Sequence, residues 1–167
     1  MLGTERRLTG HGDYHLTTAA GDTSVSVDSV QGDEVVDAGR IVTPAVAGPP
    51  QAVKLADGPL TVAGTPYLDA TVTSLGLDSR AFFALSVGTS PADAKVVQNN
   101  VLPYRSASVD LGTARSIELP SVAVEVPAGQ SLFLTVSPVS DMFPLHGSRT
   151  PSAMVLDGAK VRLPVVE

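Results

Sequence analysis

The chain has no cysteine and no tryptophan among its 167 residues. Disulfide scaffolds, thiolate-bound zinc and cysteine nucleophiles are therefore excluded. Charged residues make up only 17% of the chain, below the roughly one quarter usual for soluble domains. Lysine is confined to Lys54, Lys95 and Lys160, and the net charge is -6. The basic footprint that displaces counterions from nucleic acid is missing, and an anionic membrane surface is disfavoured for the same reason. No apolar run reaches the length of a membrane-crossing helix. Arg6-Arg7 hints at a twin-arginine signal, but Leu8-Thr9-Gly10-His11-Gly12-Asp13 stands where an apolar stretch should follow, so no signal peptide is read. The compartment stays open, with the cytoplasm favoured over secretion on that ground alone.

What is present is 43% hydrophobic residues, 15 glycines and 13 prolines, with mean hydropathy +0.21. That mixture excludes a wholly disordered chain and suggests many short strands joined by tight turns. Candidate strands are Leu60–Val62, Pro66–Ser74, Ala81–Val87, Lys95–Asn99, Ser106–Asp110, Ser116–Leu119, Ala123–Val126, Ser131–Val136 and Lys160–Val165. Turn signals separate them at Leu75-Gly76-Leu77-Asp78-Ser79, Gly88-Thr89-Ser90-Pro91, Leu111-Gly112-Thr113 and Pro127-Ala128-Gly129. Only Pro91-Ala92-Asp93-Ala94 could open a helical turn. Ala70 and Val72 alternate with Thr71 and Thr73, so that strand has one wet face. Ala81–Val87 and Leu132–Val136 are apolar at both parities, which predicts central strands covered on both sides and the heart of the core.

The first part of the chain reads differently. Residues 1–37 are polar and broken by glycines, with one alternating piece at Thr23–Asp28. Gly39–Gln51 holds three prolines and two glycines, which predicts a linker or long surface crossing and not a helix or central strand. The fold expected is all-β: a jelly-roll-type β-sandwich, galactose-binding-domain-like, over residues 52–167. Residues 1–51 form a loosely structured extension and Pro/Gly-rich linker with one or two edge strands.

Chemistry is sparse. A nucleophile elbow needs Gly-x-Ser-x-Gly on a strand-to-helix turn, and Ser90, Ser131 and Ser148 all lack the second glycine. His11, Asp13 and His15 have the spacing of metal ligands on one strand face, but a polar N-terminal flank accounts for them more simply. His146 follows Phe143-Pro144-Leu145; a solvent-facing loop histidine fits it better than a lone general base. The carboxylates of Asp69, Asp78, Asp93, Asp110, Glu118, Glu125, Asp141 and Asp157 are spread singly, without the Asp-rich spacing of a calcium loop. Sugar platforms rely on exposed aromatic rings, and aromatics are 4% of the chain. Tyr67 and Tyr104, each directly after a proline, are better explained by packing. No cofactor and no metal site is expected.

Several segments in order carry a resemblance: Val62-Ala63-Gly64-Thr65-Pro66, Ser79–Val87, Asn99-Asn100-Val101-Leu102-Pro103-Tyr104-Arg105, Val126–Leu132, Leu134–Ser137, Asp141-Met142-Phe143-Pro144 and Leu163-Pro164-Val165-Val166. Over about residues 57–166 the chain resembles the C-terminal, non-catalytic jelly-roll domain of the CocE/NonD and X-Pro dipeptidyl-peptidase hydrolases. The resemblance implies a domain that packs against a hydrolase domain, helps shape its substrate entrance and supports oligomers. It carries no catalytic residue, because none of the family's catalytic motifs is present to receive one. Residues 1–50 would then be the join to an upstream catalytic part.

The expected function is therefore that of a non-catalytic accessory domain of an acyl or X-Pro peptide hydrolase, not an enzyme on its own. Its partner would be a hydrolase domain or another protein, with homo-oligomers as a further option. The alternatives are a free-standing carbohydrate- or ligand-binding module and a self-associating structural protein. Candidate contact loops span Leu102–Arg105 and Asp141–His146, with Tyr104, Arg105, Asp141, Phe143 and His146 as the residues of interest.

Overall fold

The computed structural model describes residues 14–17, 24–27, 31–43, 50–76, 78–106, 110–148 and 152–166. Its strands are β1 (Tyr14–Thr17), β2 (Ser24–Val27), β3 (Gln31–Thr43), β4 (Gln51–Asp57), β5 (Leu60–Gly64), β6 (Tyr67–Leu75), β7 (Ser79–Gly88), β8 (Lys95–Val96), β9 (Leu102–Ser106), β10 (Thr113–Glu118), β11 (Val122–Val126), β12 (Ser131–Ser137) and β13 (Ala153–Val166). A 3-10 turn, Val97–Asn99, follows β8. β1 and β2 pair with each other antiparallel.

Three pairs of short strands act as three long ones. β5 and β6 line the same side of β13, with Val62 opposite Val165 and Tyr67 opposite Arg162. On their other side run β11 and β10 in succession. β8 and β9 follow one another along the edge of β7. Among the described residues from β3 onward there are thus eight long strands in two antiparallel sheets. The first has the order β3, β13, β5/β6, β11/β10; the second has β4, β12, β7, β8/β9. Counted along the chain, these are strands one, eight, three, six and strands two, seven, four, five. This is the wiring of a jelly roll.

Membership of β3 corrects the linker reading. Gly39–Thr43 belongs to a long strand whose register with β13 runs from Gln31 opposite Val166 to Thr43 opposite Met154. Gly39 is accommodated because the ladder shifts register there, between Leu156 and Lys160 of β13, and a β-bulge tolerates a glycine. Ala38, Ile41 and Thr43 are buried while Val35, Arg40 and Val42 face outward. Pro44 to Pro49, the proline-rich remainder, lies outside the described residues.

The interior behaves as the alternation predicts. Leu68, Ala70, Val72 and Ser74 of β6 are buried, whereas Thr71 is exposed and Thr73 half-buried. Phe83 and Leu85 of β7 join Leu132, Leu134 and Val136 of β12 in the main core with Val62, Leu156, Val161 and Leu163 of the first sheet. β7 and β12 are the two central strands of the second sheet. The expected strand at Ser106–Asp110 is displaced: pairing with β7 uses Leu102–Ser106, and residues 107–109 are not described. Lys95–Asn99 pairs only at its first two residues before turning, with Gln98 and Asn99 at φ 52° and 53°. Asp93 makes no helix; its carboxylate accepts the backbone N–H groups of Thr89 and Ser90 and closes a turn.

Two glycines do defined work. Gly64 has φ 136°, a conformation essentially reserved for glycine. With Pro66 it kinks the strand formed by β5 and β6. Pro164 of β13 sits opposite this interruption, since pairing stops at Arg162 and resumes at Val165. A proline inside a central strand costs a ladder hydrogen bond, and here it falls where the neighbouring ladder is already broken.

Gly58 lies where the chain passes from the second sheet to the first, against the β11–β12 passage in the opposite sense. Its N–H donates to the Gln130 carbonyl at 2.8 Å. A Cβ at Gly58 would stand 2.1 Å from the Pro127 carbonyl oxygen and 2.6 Å from that of Val126. Both obstacles are backbone, so no rotamer change relieves them. Gly58→Ala should destabilise the protein by about 1–3 kcal/mol, read as a lower urea midpoint; an unchanged midpoint would show that the two crossings are not held together.

Candidate functional site

The outer face of the second sheet carries the densest set of polar and aromatic contacts around the sequence-selected residues. Successive residues of a strand point to opposite faces. Ala81, Phe83 and Leu85 enter the sandwich, and Arg80, Phe82, Ala84 and Ser86 lie outside it. In β9, Leu102 and Tyr104 pack inward, leaving Pro103 and Arg105 on the outer face. The register sets Arg105 beside Arg80 and Pro103 beside Phe82.

Two like charges directly opposite on a sheet destabilise it. Asp78 resolves the conflict by lying between them. Arg80 donates from Nε to Asp78 Oδ1 at 3.2 Å and from Nη2 to Oδ2 at 3.0 Å. Arg105 donates from Nε to Asp78 Oδ1 at 2.8 Å. These bonds, Arg80 first and then Arg105, hold the Asp78 carboxyl below its ordinary pKa.

Residues 138–148 cross over this face as a series of turns. Phe143 stacks on Phe82 with ring centres 5.9 Å apart and an angle of 20°, leaving Phe82 only 3% exposed. His146 meets Phe143 edge-on at 6.3 Å, and its Nδ1 lies 3.1 Å from the Pro144 carbonyl oxygen. Arg80 pins the segment twice. Its Nη1 donates to the His146 carbonyl at 3.0 Å, and its backbone N–H donates to Ser148 Oγ at 3.0 Å. The tip projects apolar groups into solvent: Leu145, at φ 68°, is 97% exposed, and Met142 is 56% exposed.

Phe82 borders two depressions. One, of about 330 Å³, is lined by Arg80, Phe82, Pro103, Tyr104, Arg105 and His146. The other, of about 260 Å³, includes Ala84, Val96, Val101, Thr135, Val139 and Asp141 in its lining.

Of the five residues chosen from sequence, Arg105, Phe143 and His146 converge here, and Asp141 borders the adjoining depression. Tyr104 lines the same depression as Arg105 and His146 but turns its ring inward. It belongs to a strand and not to a loop, and its ring meets Phe83 edge-on at 5.8 Å; burial raises its pKa. Asp78, Arg80 and Phe82 complete the site. The apolar character of both parities in β7 was a signal for Phe82, because it requires a cover on the outer face.

Of the trio His11, Asp13 and His15, only the backbone of His15 is described. Among the described residues, no cluster of three His, Asp or Glu side chains could hold a metal ion. No helix among them is long and apolar enough to cross a membrane.

Asp110 is a second anchored acid, held low in pKa by Arg115 and then by Ser106. The Arg115 Nη2 to Asp110 Oδ1 distance is 2.8 Å. Asp93 is also held low, by Ser90 and Thr89. A carboxyl with a depressed folded pKa stabilises the fold above its unfolded value and loses that contribution as pH falls through the folded pKa. The urea midpoint should therefore be flat from neutrality to about pH 5 and decline steadily below about pH 4. Asp78→Asn should lower the midpoint at pH 7 and flatten the acid decline. An identical slope in the variant would rule Asp78 out as a contributor.

No protein-family model matches the sequence, and no curated protein matches it either. Solved structures do match in shape. A CocE/NonD family hydrolase from Staphylococcus aureus superposes on 93% of this chain with TM-score 0.62 and 11% identity. A second structure of a CocE/NonD family hydrolase from that organism gives TM-score 0.53 and 10% identity over 86% of this chain. The chain spans 41% and 39% of those two hydrolase chains. At such identities the likeness establishes the all-β sandwich fold.

Proposed function

We propose that this chain is a non-catalytic accessory domain of a serine hydrolase of the acyl or X-Pro peptide type, corresponding to the C-terminal jelly roll of the CocE/NonD and X-Pro dipeptidyl-peptidase enzymes. The observation that carries the reading is the match of 93% of this chain to 41% of a hydrolase chain. The absence of a nucleophile elbow from the sequence supports it.

The 138–148 segment is the surface that would meet the catalytic domain. Met, aromatic and Arg side chains are enriched where proteins dock, and Met142, Phe143 and Arg105 are grouped here with the exposed Val139 and Leu145. The contact residues proposed are Arg105, Asp141, Phe143 and His146.

The test uses the full chain with p-nitrophenyl esters, alone and after mixing with a hydrolase encoded beside it. The chain alone should give no turnover, and it should co-elute with the hydrolase. Leu145→Asp should weaken that association without changing the unfolding midpoint. Turnover by the chain alone, abolished by one serine substitution, would overturn the reading.

A further inference from the structure

We propose that the depression between β7, β9 and residues 138–148 binds a small carboxylate bearing an aromatic or apolar group, with Arg105 taking the carboxylate end-on. This site belongs to the chain by itself, and a catalytic domain docked on Arg105 and His146 would compete with the ligand for it.

The argument begins with charge. Two guanidinium groups, Arg80 and Arg105, share the one carboxylate of Asp78. The charged groups lining the depression are the two arginines, so with Asp78 the cluster keeps one positive charge in excess. The protein as a whole carries a net charge of -6, so this three-residue cluster runs against the global sign.

Donor geometry then separates the two arginines. Arg80 is committed: its Nε and Nη2 are on Asp78, and its Nη1 is on the His146 carbonyl. Arg105 is not. Asp78 occupies only its Nε, and neither terminal nitrogen has a hydrogen-bond partner among the described residues. The side chain is 59% exposed. A guanidinium whose Nε is fixed presents Nη1 and Nη2 as a parallel fork matched to the two oxygens of a carboxylate. Asp78 therefore orients Arg105 without consuming the edge that a ligand would use.

The remaining lining supplies the second half of the ligand's chemistry. Phe82, Pro103 and His146 border the space beside Arg105, and about 330 Å³ is room for one small ring. Small-ligand sites combine a largely apolar lining with a few placed polar groups. A free inorganic anion would use the fork and leave the apolar wall unfilled.

Benzoate is the probe, added to the full chain and followed by amide and side-chain NMR shifts. Expected is a saturable shift confined to Arg80, Pro103-Tyr104-Arg105 and His146, with a dissociation constant in about the millimolar range. Sodium chloride at equal ionic strength should not reproduce it, and benzyl alcohol should bind about tenfold or more weaker because it lacks the charged acceptor. Arg105→Gln should weaken binding about tenfold or more. Arg105→Lys should also weaken it, because an ammonium is a point charge without the fork. The proposal is overturned if benzoate gives no saturable shift, if chloride produces the same shift, or if folded Arg105→Gln and Arg105→Lys bind benzoate as the unmodified chain does.

Discussion

A chain trimmed to begin at Ala52 is expected to lose its cooperative unfolding transition and to aggregate, whereas one begun at Gln31 should retain it. The cut removes β3, and with it the antiparallel partner of β13 along nearly its whole length. Ile41, 1% exposed, leaves the core together with Ala38 and Thr43. Burying an isoleucine contributes about 1.5–3 kcal/mol, and a whole domain is stable by only about 5–15 kcal/mol. Thr43 adds a specific loss. Its hydroxyl donates to the Met154 carbonyl and accepts the Met154 N–H, both at 3.2 Å. The larger effect is on β13, a strand that would be left as a long open edge ready to pair with another chain. Size-exclusion chromatography and urea unfolding of the two truncations decide the matter. A monomeric, cooperatively unfolding protein from residue 52 onward would mean that β3 is dispensable.

Phe83→Ala should lower the unfolding free energy by about 3–5 kcal/mol, with the slope of the urea transition preserved. The ring is fully enclosed at 0% exposure, in a central strand flanked by β12 and β9, with Tyr104 edge-on to it. Close-packed strands on both sides of β7 cannot move in to fill the space, so the cavity persists. Phe82→Ala makes the comparison. It removes the same side chain from the next position, but its cover is Phe143 on a turn-rich segment that can settle into the gap. The loss at Phe82 should therefore be smaller by about 1 kcal/mol or more. Equal losses at the two positions, or a loss below about 1.5 kcal/mol at Phe83, would show that the core collapses around the vacancy.

The two central strands were legible because both parities of Ala81–Val87 and Leu132–Val136 are apolar, and only burial on two sides rewards that. β6 was legible through its alternation of Ala70 and Val72 with Thr71 and Thr73. β3 was not. Asp33, Glu34, Asp37 and Arg40 give an edge strand the look of a surface segment, and Gly39 falls at a bulge that only the pairing with β13 reveals. β9 was hidden by Pro103, which an edge strand tolerates and a central one does not. At the site, Phe143 and His146 could be picked out of a proline-rich stretch. Asp78 could not be recognised as the carboxylate between two arginines, because Arg80 and Arg105 become neighbours only through the register of β7 with β9.

The pairing of β3 with β13 also governs when the fold can form. It joins Thr43 to Met154 and Gln31 to Val166, so the first and last strands of the sandwich lie side by side. Contacts this distant in sequence require a large loop closure before they contribute, and proteins dominated by them fold in milliseconds to seconds. During synthesis, at about 5–20 residues per second, β3 would wait for several seconds as an unpaired strand until β13 emerges. Its acidic residues keep it from pairing prematurely with a neighbouring chain, since charge on an exposed edge opposes association. The charges that disguise β3 as surface in the sequence thus protect the nascent chain until the sheet closes.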